Sequence, residues 1–222
     1  IMQNKEALEY LKQRGMEEAL IERMAFGILP RSQMEVWIQD GTFPLRDLEE
    51  AGLAYIDQDG NYQPAMFDRI LIPIRDERGN IVSFSGRAIH NEDPKYLLGK
   101  TSPVFQKGHH LYHYEVAKRA AYDDAVYIVE GFFDVAAGKK MGMENIVATM
   151  GTSLSSEQKK LLKRLNCELV LMWDNDEAGK SATLKELPSL IRSGFDVSVI
   201  DLGIWGDPTI KDPWDAVQAG MD

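Results

Sequence analysis

The sequence is poor in cysteine and in long apolar runs, and each absence excludes a class of protein. Its single cysteine, Cys167, has no partner for an intrachain disulfide or a cysteine zinc site. No stretch approaches the roughly 20 apolar residues of a membrane span, and no charged leader followed by an apolar block opens the chain. We therefore expect a cytoplasmic protein without a membrane partner, whose 222 residues form one large or two modest domains.

Positive charge is also scarce, with 25 Lys and Arg against 35 Asp and Glu and a net charge of −10. Taken alone, this balance argues against a nucleic-acid partner. The charge is uneven, however: residues 1–68 hold 6 basic and 13 acidic side chains, residues 69–119 hold 9 and 5, and residues 120–222 hold 10 and 17. A basic middle segment beside an acidic half is compatible with phosphate contacts and metal chemistry, and equally with ordinary variation in surface charge.

Histidine offers no zinc site either. His109, His110 and His113 are close in sequence, but no cysteine or nearby carboxylate completes a tetrahedral set around them. We expect no zinc in this segment.

The hydrophobic pattern divides the chain into a helical and hairpin half and a half in which strands alternate with helices. Short helices are predicted after Asn4, around residues 20–25, after Ser32 as N-cap, and around residues 45–48. Apolar runs at 70–74 and 81–85 then flank a turn with Gly79, which predicts a hairpin. Strands at 126–129, 146–149, 168–173 and 196–201 alternate with helices at 132–141, 155–165, 177–191 and 213–219, after a helix at 114–122. We therefore predict an α+β subdomain over 1–122 and an α/β domain over 123–222 with a mostly parallel sheet flanked by helices.

Carboxylates follow two of the predicted buried strands. Asp174-Asn175-Asp176 comes directly after the run 169–173, and Glu130-Gly131 after the run 126–129. Ligands of open α/β sheets gather at the carboxyl ends of strands, and side chains two residues apart project to one side. A single Asp at such a junction is often a helix N-cap. Because a cluster of like charges there is costly unless it is neutralised, the set predicts a divalent-metal site.

These motifs resemble the Toprim fold, whose pattern is Glu-Gly after one strand and Asp-x-Asp after a later one. Residues 129–135 and 149–154 are similar to the primase versions of two motifs. The segments at 10–15, 69–79, 84–87, 94–97 and 105–108 occur in the order found in the polymerase core of bacterial DnaG-type primases. The resemblance covers essentially the whole chain, and it implies an α+β N-terminal subdomain followed by a Toprim domain.

The resemblance also implies site residues. Glu130, Asp174 and Asp176 would be catalytic and, with Asp212, would hold two or more Mg²⁺ or Mn²⁺ ions. Asp134 would support Glu130 without binding the metal itself, or its charge would only interact favourably with the dipole of its own helix. Phosphates of nucleotide and template would be contacted by six basic residues, Arg14, Arg69, Arg75, Arg87, Lys95 and Lys107.

Two positions depart from the family pattern. Trp214 stands where the family usually has the second Asp of Asp-Pro-Asp, and Leu98 stands where Asn usually follows Tyr-Leu. We therefore expect Asp212 to be a ligand, while Asp215 would either support the site or open the last helix. These departures leave a chromosomal or a plasmid or phage type open.

The activity implied by the resemblance is metal-dependent synthesis of short RNA primers from NTPs on single-stranded DNA during replication. We interpret the chain as a fragment, truncated at the C-terminus, of an enzyme that meets a replicative helicase and single-strand-binding protein through its full length. A Toprim nuclease using the same carboxylates is the alternative enzyme. A non-catalytic Toprim scaffold that binds DNA is the third interpretation, and the presence of Glu130, Asp174 and Asp176 argues against it.

Overall fold

The protein divides into two compact units in a computed structural model, which describes residues 1–90, 92–120, 125–207 and 209–220. The first unit contains Ile1–Ile74 and Ile81–Gln106, and the second contains Arg75–Asn80 and Lys107–Asp222. The unit that holds the second half is thus built from more of the chain than the predicted segment 123–222. The predicted boundary between 122 and 123, and the end of the helix predicted at 114–122, fall in residues 121–124, outside the described residues.

Four helices in the first unit lie where the pattern predicts them: α1 (Lys5–Gln13), α2 (Glu18–Arg23), α3 (Arg31–Asp40) and α4 (Leu45–Glu50). Asn4 caps α1, because its Oδ1 accepts a hydrogen bond of 3.0 Å from the Ala7 N–H. The prediction of Ser32 as the cap of α3 is wrong. The N-cap is Pro30, whose side chain cannot accept a hydrogen bond. Its backbone is extended, with φ −62° and ψ 142°, just before the helix begins.

Strands in the described part of the first unit form a four-stranded sheet and a separate hairpin. The strands β1 (Gly27–Ile28), β4 (Arg69–Arg75), β5 (Ile81–Ala88) and β6 (Tyr96–Leu98) form a sheet in the order β1-β4-β5-β6, while β2 (Ala54–Ile56) and β3 (Tyr62–Pro64) form a separate hairpin. The predicted hairpin of β4 and β5 is confirmed, and Gly79 in its turn has φ 92°. The sequence pattern missed β6, since three residues are too few to show an alternation.

The second unit is a parallel sheet with helices. Its elements are α5 (Tyr114–Ala120), β7 (Ala125–Val129), α6 (Phe132–Lys140), β8 (Ile146–Ala148), α7 (Ser156–Lys163), β9 (Glu168–Leu171), α8 (Glu177–Arg192), β10 (Val197–Val199) and α9 (Pro213–Gln218), with 3-10 turns at Lys107–His109 and Leu202–Trp205. The order is β10-β9-β7-β8, and each neighbouring pair is parallel. The predicted fold class is therefore confirmed.

The two central strands of this sheet position the acidic motifs. Ile128 of β7 pairs with Leu171 of β9, so these strands end side by side. Because both run in the same direction, the residues that follow them emerge at one edge of the sheet. Glu130 and Asp174 are those residues.

The edge strand β8 has a partner from outside the sheet. Tyr112 pairs with Ala148 in an antiparallel bridge, with hydrogen bonds of 2.9 and 3.1 Å in the two directions. The backbone just before α5 therefore covers part of this edge. No helix within the described ranges is long and apolar enough to cross a membrane.

Candidate metal and nucleotide site

Glu130 and Asp174 meet where β7 and β9 end. The Asp174 N–H donates to Glu130 Oε1 at 3.4 Å. Asp174 Oδ1 is buried and has no hydrogen-bond partner within the described parts of the chain. Burial, followed by the charge of Glu130, raises the pKa of Asp174 to about 7, and burial also raises the pKa of Glu130. Burial and neighbouring carboxylates therefore disfavour the ionised form of both groups.

The loop that carries Asp174 is held from below by the start of α8. A Cβ atom on Gly179 would lie 2.1 Å from the Asp174 carbonyl oxygen, so only glycine permits this approach. Asp176 caps α8, since its Oδ1 accepts a hydrogen bond of 2.8 Å from the Gly179 N–H. The capping role that the sequence offered to Asp174 as an alternative belongs to Asp176.

A third carboxylate, that of Asp134, lies in the first turn of α6, close to Glu130 and Asp174. Its carboxylate is buried, and Oδ2 accepts a hydrogen bond of 2.8 Å from the Gly131 N–H at the start of α6. Burial raises the pKa of Asp134 well above its ordinary value, and the charges of Asp212 and Asp174 add to this. Asp134 thus stabilises the first turn of its helix and also lies within electrostatic reach of Glu130, Asp174 and Asp212.

The segment before α9 closes the cluster. Asp212 caps α9 by accepting a hydrogen bond of 2.7 Å from the Asp215 N–H, and Asp215 Oδ2 accepts one of 3.1 Å from the Lys211 N–H. The Asn175 N–H donates to the Lys211 carbonyl at 2.6 Å, which ties this segment to the Asp174 loop. No sequence signal predicted this tie, because backbone hydrogen bonds between distant loops leave no pattern in the residues.

Carboxylate oxygens of the kind that hard cations prefer are supplied by Glu130, Asp174, Asp176 and Asp212, which we call the acidic cluster. No three Asp, Glu, His or Cys side chains among the described residues lie close enough to hold an ion together. Mg²⁺, however, commonly takes one or two carboxylates and completes its shell with water and substrate phosphates. The buried Asp174 Oδ1 without a partner and the neighbouring oxygen donors therefore fit such an ion.

The basic residues of the first unit are mostly engaged within the fold. Arg69 is only 8% exposed, and Nη1 donates to the carbonyls of Gly86 at 3.3 Å and Pro94 at 2.7 Å. Arg87 is 7% exposed and donates to the Tyr10 hydroxyl at 2.9 Å. In addition, the Arg87 guanidinium lies over the Tyr96 ring at 4.8 Å and that of Arg14 over the Tyr10 ring at 6.0 Å. Lys95 is exposed.

Two predicted basic residues belong to the second unit. Arg75 donates to the Gly79 carbonyl at 2.8 Å and lies 3.9 Å from Glu115, so it braces the hairpin turn. Lys107 is exposed, and a Cβ atom on Gly151 would lie 3.2 Å from its Nζ. Gly151 follows β8, so Lys107 lies at the edge of the sheet where Glu130 and Asp174 also emerge.

Parallel strands followed by this acidic cluster are typical of the Toprim fold, and a Toprim domain model matches residues 124–201. A model described as the DNA primase catalytic core, N-terminal domain, matches residues 1–118. The chain therefore belongs to the DnaG family of bacterial DNA primases.

Individual relatives agree with this family. The DNA primase of Staphylococcus aureus (strain COL) is 35% identical over 211 residues, which are 93% of this chain and 35% of the relative. A DNA primase domain from Pseudomonas aeruginosa is 33% identical with a TM-score of 0.86, covering 98% of this chain and 68% of that one. A DnaG primase catalytic domain bound to ssDNA is 30% identical with a TM-score of 0.84, covering 98% and 71%. The chain spans about a third of the length of the curated relatives it matches.

Proposed function

We propose that this chain is the nucleotidyl-transfer core of a primase that makes short RNA primers from NTPs on single-stranded DNA during replication. The observation that carries the proposal is the buried Asp174 Oδ1, which has no partner in the described residues and lies beside Glu130 at the end of β7. A structural relative bound to ssDNA supports the choice of template.

The carboxylates would hold two or more Mg²⁺ or Mn²⁺ ions through Glu130, Asp174, Asp176 and Asp212. Bound there, such ions would orient the primer 3′-hydroxyl and the α-phosphate of the NTP and stabilise the charge of the departing pyrophosphate. Asp134 orients the Glu130-Gly131 turn through its hydrogen bond to Gly131. Asp215 accepts a hydrogen bond from the Lys211 N–H and so orients the backbone just before Asp212.

The basic residues divide into two groups in this proposal. Lys107, exposed beside Gly151, would contact the phosphates of the NTP, and exposed Lys95 would contact the template. Positive potential for the phosphates of nucleotide and template would also come from Arg14, Arg87 and Arg75. Aromatic rings contact the first two, and the Gly79 carbonyl accepts a hydrogen bond from the third. For Arg69 the burial of the side chain and its two hydrogen bonds to backbone carbonyls favour a structural contribution instead.

The longer protein to which such a core belongs would work in the cytoplasm with a replicative helicase and single-strand-binding protein. We place those contacts outside this segment, whereas template, NTPs and RNA primer would be handled by it.

Primer synthesis provides the test. The purified chain is incubated with single-stranded DNA, labelled NTPs and Mg²⁺ or Mn²⁺, and in parallel with a preformed primer on its template, which removes the requirement for initiation. The Asp174→Ala/Asp176→Ala variant should lose RNA synthesis by about 100-fold or more, because metal-held charge contributes several kcal/mol to the transition state. Asp196→Ala is the matched control, since this exposed carboxylate precedes β10 at the opposite end of the sheet.

The other outcomes have distinct meanings. Carboxylate-dependent cutting of the labelled DNA would favour the nuclease. Failure to extend the preformed primer, together with DNA binding that the double variant retains in full, would favour the scaffold.

A further inference from the structure

Trp214 joins the first turns of two helices. It is 1% exposed in the first turn of α9, and its ring meets Phe133 edge-to-face with centroids 5.9 Å apart and planes at 79°. Phe133 lies in the first turn of α6, just after Glu130-Gly131. Edge-to-face aromatic pairs have a preferred geometry, so this contact constrains the two helix starts more tightly than general apolar packing does.

The same two turns carry carboxylates. Asp134 is the neighbour of Phe133, and Asp212 precedes Trp214 by two residues and caps its helix through the Asp215 N–H. Asp212 and Asp134 lie within electrostatic reach of each other, and their like charges oppose the approach of α9 to α6. Packing must therefore hold together what the charges push apart.

Asp212 is held from both sides. On one side the Lys211 carbonyl accepts the 2.6 Å hydrogen bond from the Asn175 N–H. On the other side Trp214 is buried against Phe133. Between these two points the backbone of Asp212 has little freedom, and its carboxylate is directed by the cap of α9.

We propose that Trp214 is a positioning residue: its contact with Phe133 holds Asp212 beside Asp174, and thereby sets the affinity of the acidic cluster for a divalent cation. This inference rests on the proposed function, because it concerns the same cation. It also gives position 214 a task without a carboxylate. The large ring lies in the core, so it contributes to the site by positioning Asp212 rather than by binding the cation itself.

Mn²⁺ binding to the whole chain tests the inference without any assay of activity. Free Mn²⁺ is followed by electron paramagnetic resonance during titration of Trp214→Phe and Trp214→Leu. We expect the leucine variant to bind Mn²⁺ about tenfold more weakly, the effect typical of residues that orient metal ligands, and the phenylalanine variant to stay within about threefold of the parent. Leu190→Ala, which also opens a fully buried position in the same unit, should lower the melting temperature and leave Mn²⁺ affinity unchanged.

Unaltered Mn²⁺ affinity in folded Trp214→Leu would overturn the inference, as would an equal loss of affinity in Leu190→Ala. Phe133→Leu locates the effect in the ring contact. If the ring contact causes the loss of affinity, the Phe133→Leu/Trp214→Leu double variant should bind Mn²⁺ no more weakly than Trp214→Leu alone. Additive losses in the double variant would show that the contact is not the cause. A parent chain that binds no Mn²⁺ in an Asp174-dependent way would overturn the metal step of the proposed function as well, which distinguishes the two failures.

Discussion

Arg69 in the first unit and Asp174 in the second both place polar atoms out of contact with water, but these atoms are satisfied in opposite ways. Arg69, at 8% exposure, donates to two backbone carbonyls. Asp174 keeps an oxygen without a partner in the described residues, and burial followed by Glu130 raises its pKa to about 7. A buried charge is costly unless it is paired. Arg69 is thus satisfied within the fold, whereas the Asp174 oxygen is the one that the proposed function leaves for a cation.

The largest expected effect comes from a substitution at Gly179, which supports the loop that carries Asp174. In Gly179→Ala, a Cβ atom 2.1 Å from the Asp174 carbonyl must displace either α8 or the loop. We expect a loss of about 3 kcal/mol in the free energy of unfolding, at the upper end for overpacking, and loss of Mn²⁺ binding. Urea unfolding and Mn²⁺ titration measure the two. Gly27→Ala is the control, because its nearest neighbour outside the adjacent residues would be 3.9 Å away; equal behaviour of both variants would contradict the role of Gly179.

Arg69→Met tests the structural half of the comparison. Removing the guanidinium leaves the buried Gly86 carbonyl and the partly buried Pro94 carbonyl without this donor, and we expect a loss of about 2 kcal/mol in the free energy of unfolding. The affinity of the folded variant for single-stranded DNA should stay near that of the parent. A folded variant of unchanged stability and much weaker DNA binding would return Arg69 to the template-contacting group.

The pH dependence of stability tests the interpretation of Asp174. The folded-state pKa of Asp174, about 7, lies above its ordinary value, so the folded state binds more protons than the unfolded state between about pH 4 and 7. The metal-free chain should therefore lose stability as pH rises through this window, by no more than about 1.4 kcal/mol per pH unit for this group. Glu130 and Asp134, whose pKa values are also raised, act in the same direction.

Urea unfolding in EDTA from pH 5 to 8 measures this slope. Asp174→Asn should flatten it, and Mg²⁺ should oppose it because the ion stabilises the ionised cluster. A parent chain that gains stability towards pH 8 without metal would contradict the assignment.

Lys95→Met has the smallest expected effect. Lys95 is exposed, so its replacement should change the free energy of unfolding by less than about 0.5 kcal/mol. Binding to single-stranded DNA should weaken, and the slope of log affinity against log salt should fall by about 0.7 if one phosphate contact is lost. An unchanged salt slope would remove Lys95 from the template contacts.

Much of this arrangement could be predicted from the residues, and the failures have physical reasons. The parallel sheet and the places of Glu130 and Asp174 follow from apolar runs that end in carboxylates. Burial of Arg69 could not be predicted, because a motif shows a charge without showing what surrounds it. Asp176 as the cap of α8 depends on one hydrogen bond to Gly179. The contact of Trp214 with Phe133 joins residues far apart in the chain, and no local pattern records such a pair.

The bridge between Tyr112 and Ala148 has a consequence for how the chain can be divided. The Toprim match begins at residue 124, yet the backbone that covers the edge of β8 lies before it. A polypeptide started at residue 124 would expose the N–H and C=O groups of Ala148 on that edge, together with the apolar surface that Leu111, Tyr114 and Ala117 cover. Unpaired edges of this kind recruit strands from other molecules. The isolated Toprim segment is therefore expected to self-associate, and one begun at Lys107 to remain better protected.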